Sequence, residues 1–70
     1  MYRPYHMYTA GPVTLEHAAP AFIVSGDSAV EFVSPGGVTF EVKGETGIVE
    51  IPIKQIVTIG NNNKVTVLSQ

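Results

Sequence analysis

Apolar and polar side chains alternate along most of the chain from residue 21 onward. The longest such run covers residues 47–60. Because successive side chains of a strand point to opposite faces, this run predicts a half-buried strand with one dry face. The predicted apolar face comprises Val49, Ile51, Ile53, Val57 and Ile59.

Two features of this run depart from strict alternation. Gln55 interrupts the apolar face and Ile56 interrupts the polar one, which predicts a bulge or bend near residues 54–56. Pro52 lacks a backbone N–H and cannot donate to a neighbouring strand. We therefore expect the strand to lie at a sheet edge, or to be bulged, at Pro52.

Four shorter apolar segments accompany the long run and are separated from it by turn signals. They cover residues 21–24, 29–33, 38–43 and 64–68, and the turns cover 25–28, 34–37, 44–47 and 60–63. In the second turn, Pro35 and Gly36 occupy the positions typical of a type II turn. About five strands at this spacing predict an all-β fold, either a small antiparallel sandwich or a barrel. The predicted core is Phe22, Val30, Phe32, Val38, Phe40, Val42, Val49, Ile51, Ile53, Val57, Ile59, Val65 and Val67.

Residues 1–20 differ in composition from the β-domain predicted over residues 21–70. They contain three of the five prolines, both histidines, both methionines and all three tyrosines. Proline removes a donor and favours extended backbone before it. We therefore predict an extended N-terminal arm over 1–20, with one helical turn at 14–19 that is capped by Thr14 and ends before Pro20.

The tyrosines of this arm recur at every third position, at Tyr2, Tyr5 and Tyr8. In a polyproline-type helix they would share one face. Tyrosine is enriched at protein interfaces because it combines a large apolar ring with a polar tip. Two interpretations follow: the arm contacts a neighbouring subunit, or its tyrosines fold back on their own sheet. The first assigns a protein interface to Tyr2, Arg3, Tyr5, His6, Met7 and Tyr8.

Composition favours a small domain that associates with other protein. A 70-residue chain buries little surface, and the absence of cysteine excludes disulfides and thiolate metal sites. Only 14% of the residues are charged, well below the usual quarter. We therefore expect oligomerisation or docking onto a larger assembly to supply stability.

Charge and hydropathy argue against two other kinds of partner. The net charge is −2, and the four cations, Arg3, Lys43, Lys54 and Lys64, are scattered, which disfavours nucleic acid. No apolar run approaches the roughly 20 residues that span a bilayer. No apolar signal core follows Met1, so we expect a protein kept in the cell, or packaged from there.

Residues with catalytic chemistry do not form a recognisable set. His6 and His17 are too few for a zinc site, which takes three or four ligands. Ser25, Asp27 and Ser28 share one turn, where a hydrogen-bonded turn is the simpler interpretation than a hydrolytic triad. Glu41 and Glu50 could form a carboxylate pair on the outer faces of neighbouring strands, but such groups are normally solvated. We expect no enzyme activity and no cofactor or metal.

The order of short motifs after residue 20 carries a resemblance. The motifs are Phe22-Ile23-Val24 with Gly26-Asp27, Gly37-Val38-Thr39-Phe40, Gly47, Ile51-Pro52-Ile53, Gly60-Asn61 and Val65 to Leu68. Over residues 21–68 this order resembles the head-spike base proteins of phages and gene transfer agents. The chain departs from that family in the asparagines of the turn at 61–63, where the family has threonine, and in residues 1–20.

The resemblance implies a structural protein of a bacteriophage virion, made in the host cytoplasm. Such a protein would be a capsid decoration, cement or spike-base subunit. Its partners would be further copies of itself, with a trimer as one option, and the major capsid protein or other virion proteins. Two alternatives stay open: a small tail or connector subunit, and a soluble phage-encoded module that inhibits a host factor.

Overall fold

A computed structural model of the chain describes residues 1–60 and 62–70; Asn61, in the predicted turn at 60–63, lies outside the described residues. The described residues form seven strands and no helix, and so contain no helix that could cross a membrane. The strands are β1 (Arg3–Tyr8), β2 (Val13–Ala19), β3 (Ala21–Ser25), β4 (Ala29–Val33), β5 (Thr39–Lys43), β6 (Ile53–Thr58) and β7 (Lys64–Ser69).

The strands form two antiparallel sheets that pack face to face. One sheet has the order β1-β7-β3, and the other has the order β2-β6-β4-β5. The predicted all-β fold is confirmed, and of the two predicted architectures the structure has the sandwich. It has seven strands rather than about five because residues 1–20 contribute two.

Residues 1–20 contain two extended segments, β1 and β2, and both belong to the sheets rather than to a separate arm. β1 pairs with β7 and β2 pairs with β6, each at the edge of its sheet. The helical turn predicted at 14–19 is wrong, because these residues form most of β2. In β2, Leu15 and Ala19 are buried in the core, and that burial favours the strand.

Three phenylalanine rings lie at the centre of the core. The ring centroids of Phe32 lie 4.3 Å from Phe22 and 5.5 Å from Phe40. Of the predicted core, six positions are fully buried: Phe22, Val30, Phe32, Ile53, Val65 and Val67. Half-buried are Phe40, Val42, Val49, Val57 and Ile59. The sequence patterns missed six buried positions: Leu15, Ala19, Ala21, Val24, Ile56 and Leu68.

Two predicted core residues are exposed instead. Val38 is 65% exposed and Ile51 is 42% exposed. Val38 precedes the first residue of β5 and lies at the hairpin turn, where its carbonyl accepts from the N–H of Ser34. Ile51 lies between two paired segments and belongs to no strand. Both residues fit the apolar face predicted by alternation. They are exposed because β5 begins after Val38 and β6 begins after Ile51.

The run at 47–60 is not one strand. Val49 forms an isolated antiparallel bridge with Phe22 of the first sheet, whereas β6 begins at Ile53 in the second sheet. The segment that contains Ile51 and Pro52 crosses from one sheet to the other, so Pro52 needs no strand partner. The predicted irregularity exists, but it lies at Val57, where the β4–β6 register shifts by one residue. The shift places Ile56, rather than Val57, in the core.

The turn at 34–37 is present with a different geometry from the predicted type II. The N–H of Gly37 donates to the carbonyl of Ser34 at 2.9 Å. Gly37 has a φ of +91°, whereas Gly36 does not have a positive φ. A type II turn needs positive φ at its third residue, so this hairpin instead has a left-handed glycine at the fourth.

Candidate protein-interaction surface

The two sheets of the sandwich have four edges, and one of them is covered by the chain itself. The outer edge of β3 binds the segment 46–49. Phe22 and Val49 exchange two backbone hydrogen bonds, of 3.0 and 2.8 Å, and Thr46 donates to the carbonyl of Val24 at 2.9 Å. The hydroxyl oxygen of Thr46 also accepts from the N–H of Val24. This edge has no free backbone along that length.

The edge formed by β1 is irregular. Its register with β7 shifts between Pro4 and His6, so Tyr5 is an extra residue in the strand. Pro4 contributes no N–H. Proline and bulges are common devices that keep an edge strand from pairing with another chain. At β1, therefore, the side chains rather than a regular row of backbone groups are accessible from outside the sheet.

The edge formed by β2 is more strongly bulged. Thr14 pairs with Gln55 and Ala19 with Ile53, so β2 contains three more residues than β6 over the same span. The Nζ of Lys54 donates to the carbonyl oxygen of Glu16 at 2.7 Å and thereby ties the bulge to the sheet. This bulge interrupts regular pairing at the β2 edge.

We call the exposed side chains of β1 the arm surface: Arg3, Tyr5, His6 and Met7. Tyr5 is 71% exposed and Met7 is 51% exposed. Tyr8 differs, because it is half-buried against the core, with its ring 4.4 Å from that of His6. The residues assigned to an interface therefore divide: Tyr8 packs on its own sheet, whereas the arm surface faces solvent.

Tyr2 is the one arm tyrosine with a defined polar partner. Its hydroxyl donates to Oε2 of Glu50 at 2.9 Å. This hydrogen bond to the carboxylate raises the pKa of Tyr2 above its usual value, because loss of the proton would break the bond and bring two negative charges together. The contact joins the start of the chain to the segment between the sheets.

A cleft of about 440 Å³ lies between β1 and the bulged part of β2. Tyr5 and Tyr8 line one side, residues 14–20 line the other, and residues 67–69 of β7 form the floor. Its lining combines apolar side chains, among them Leu15, with the polar Glu16 and His17. The cleft therefore presents both apolar and polar groups beside β1.

Asn63 is a buried polar residue that the sequence patterns did not single out. It is 2% exposed, and its Nδ2 donates to the carbonyl oxygens of Ser25, at 3.1 Å, and Ser28, at 2.9 Å. The predicted turn at 25–28 is thus held by the asparagine that directly precedes β7. Its Oδ1 is buried and has no hydrogen-bond partner among residues 1–60 and 62–70. The run of asparagines before the last strand is the sequence signal for this residue, but such a run by itself predicts only a turn.

Among the described residues, histidine and acidic side chains occur in pairs but not in larger groups. Within residues 1–60 and 62–70, no three His, Asp or Glu side chains are grouped as metal ligands. His17 is 3.8 Å from Glu16, and both side chains are 91% exposed. The suggested pair of Glu41 with Glu50 is wrong: Glu41 lies opposite Glu31 in the β4–β5 register, and Glu50 bonds Tyr2.

No family model, curated protein or solved structure matches this chain.

Proposed function

We propose that the chain is a structural subunit of a bacteriophage virion: a capsid decoration, cement or spike-base protein. The subunit oligomerises through its β-sandwich, and its N-terminal residues fasten it to neighbouring virion proteins. The role is passive and needs no catalysis. The motif order over residues 21–68 motivates the virion setting, and the following surface features support the mode of attachment.

The arm surface is the observation that carries the attachment. An edge strand on the open side of a sandwich presents Tyr5, 71% exposed, and Met7, 51% exposed, with Arg3 and His6 also in solvent. Tyrosine, methionine and arginine are the residue types enriched at protein interfaces. The adjoining cleft could receive a side chain of the neighbour. Covering these groups removes apolar area from water without ordering a flexible segment, because β1 is already paired.

The composition supports an assembly role in the same way. Charged residues are 14% of the chain, and six large apolar side chains remain exposed: Met1, Tyr5, Met7, Val38, Ile48 and Ile51. A 70-residue domain has a small core and gains stability when it binds a partner in its folded state.

The test is quantitative peptide mass spectrometry on purified particles, with copy number measured relative to the major capsid protein. We expect tens to hundreds of copies per particle. Absence of the protein from particles would overturn the proposal. A low count, of a few copies, would replace the decoration role by the tail or connector alternative.

A pair of matched variants tests the arm surface within that experiment. Tyr5→Ser combined with Met7→Ser should abolish incorporation while the β-sheet circular dichroism stays unchanged. The control, Ile48→Ser combined with Ile51→Ser, removes a similar exposed apolar area elsewhere and should incorporate normally. Equal incorporation of both variants would exclude the arm surface as the attachment site.

A further inference from the structure

We propose that β5 pairs antiparallel with β5 of a second copy, about a two-fold axis at Val42. The pairing joins two four-stranded sheets into one continuous sheet. The inference rests on the self-association in the proposed function, but not on the virion role. Four observations carry it: the regularity of the edge, the direction of its backbone groups, the order of its charges and the half-buried state of its apolar side chains.

β5 is the one edge of the described residues that is both uncovered and regular. Its register with β4 runs without a shift from Ala29 opposite Lys43 to Val33 opposite Thr39. The other edges are covered by residues 46–49, at β3, or interrupted by bulges, at β1 and β2. Natural proteins disrupt or cover edges that should not pair. β5 lacks such a proline, bulge or cover.

The free backbone groups of β5 belong to its odd-numbered residues. The backbone N–H of Ser34 donates to the carbonyl of Val38 at 2.8 Å. The backbone N–H of Gly44 donates to the carbonyl of Ser28 at 3.3 Å. Because hydrogen-bonded and non-hydrogen-bonded pairs alternate in an antiparallel ladder, the even-numbered residues between them face β4. Thr39, Glu41 and Lys43 therefore direct their N–H and C=O groups to the open edge.

The charges select the register. A two-fold axis perpendicular to the sheet keeps each face, so residues opposite one another must share a face. With the axis at Glu41, two Glu41 side chains would meet, each already opposite Glu31. With the axis at Val42, Glu41 of each copy lies opposite Lys43 of the other copy. The dimer therefore contains two such oppositely charged pairs. Opposite charges in directly opposed positions are favourable and like charges are not.

The inner face of β5 is also left incomplete by one copy. Phe40 and Val42 pack against the core but are only half-buried, whereas Thr39, Glu41 and Lys43 are exposed on the outer face. In the selected register Val42 lies beside Val42 of the second copy. The pairing therefore extends the apolar layer across the two-fold axis and removes the exposed side of Val42 from water.

Charge reversal at the two outer-face residues tests the register. Sedimentation equilibrium of the full chain should show a reversible dimer. Glu41→Lys or Lys43→Glu alone should each raise the dissociation constant about tenfold, because two attractive pairs become repulsive. The double variant, Glu41→Lys with Lys43→Glu, should restore wild-type affinity. An equimolar mixture of the two single variants should form a heterodimer.

Controls separate this interface from general charge effects and from misfolding. Lys64→Glu changes the net charge as much as Lys43→Glu, at an exposed residue of β7, and should leave the dissociation constant unchanged. Each variant should keep the circular dichroism of the wild type. A double variant with restored affinity would show that the fold tolerates Lys at position 41 and Glu at position 43. Glu41→Gln should weaken the dimer; a tighter dimer would show the axis at Glu41.

Four results would overturn the inference: a wild-type chain that stays monomeric at millimolar concentration, a dissociation constant that neither single reversal changes, a double variant whose affinity is not restored, or a dimer that Glu41→Gln tightens. These results are distinguishable from failure of the proposed function. A β5-paired dimer that is absent from particles would overturn only the virion role. A particle-bound subunit whose assembly ignores the reversals would overturn only the β5 pairing.

Discussion

The rings of Phe22, on β3, and Phe32, on β4, lie 4.3 Å apart and are tilted by 36°. The two strands belong to different sheets, so this contact holds the two layers of the sandwich together. Both side chains are fully buried. Offset aromatic pairs contribute beyond the area they bury, by about 0.5–1.5 kcal/mol.

Phe32→Ala should therefore be among the most damaging single changes in this chain. Removal of a buried phenylalanine typically costs about 3–5 kcal/mol, which is comparable with the whole stability expected from a core of this size. The variant should be largely unfolded in buffer by circular dichroism. Val38→Ala is the control, because Val38 is 65% exposed, and it should change the free energy of unfolding by less than about 0.5 kcal/mol. A large effect at Val38 would contradict its placement outside the core.

Asn63→Ala should lower the free energy of unfolding by about 1–3 kcal/mol, because it leaves the carbonyls of Ser25 and Ser28 without their donor. Asn63→Asp should cost more, since a carboxylate oxygen would face these two carbonyls in a buried site. Urea denaturation measures both. Asn62→Ala, at an exposed neighbour, should be nearly neutral. Equal effects at positions 62 and 63 would rule out the buried hydrogen bonds as the cause.

Gly26→Ala should destabilise the chain more than Gly37→Ala. Both glycines have positive φ, +107° and +91°, so alanine at either site carries a backbone cost of about 1–2 kcal/mol. A Cβ at Gly37 meets nothing within 4 Å. A Cβ at Gly26 would collide with the carbonyl oxygen of Asn62 and lie 2.8 Å from Nδ2 of Asn63. Thermal melts of the two variants measure the difference, and equal losses would contradict the close approach at Gly26.

The bond between Tyr2 and Glu50 predicts a pH effect. It raises the pKa of Tyr2 in the folded chain. Its contribution to stability is therefore present below the unfolded tyrosine pKa, about 10, and is lost as pH rises through the folded pKa. Glu50→Gln should lower the Tyr2 pKa in a tyrosinate absorbance titration, with Tyr2→Phe used to identify the Tyr2 component. A Tyr2 titration unchanged by Glu50→Gln would show that this bond is not formed in solution.

Alternation predicted burial correctly where the whole alternating segment forms a single strand. Val30 and Phe32 of β4 alternate with Glu31, and the structure buries the first two and leaves the third half-exposed. Period-two alternation reports burial on one face, so the sequence alone determined the all-β class and half of the twelve buried apolar core positions. It also predicted the extended conformation of β1, since proline restricts the backbone locally, but not that of residues 14–19, for which it favoured a helical turn.

Only the tertiary structure decided where strands end and which sheet they join. Val49 and Ile53 fit one alternating run, yet they belong to different sheets, because the chain crosses between layers at Ile51 and Pro52. The alternation of side chains along one segment does not indicate which strand pairs with that segment. The sequence pattern therefore could not predict this crossing, the pairing of β1 with β7 or the register shift at Val57. The same holds for the regular edge of β5, because only the folded chain covers the edge of β3 and places bulges in β1 and β2.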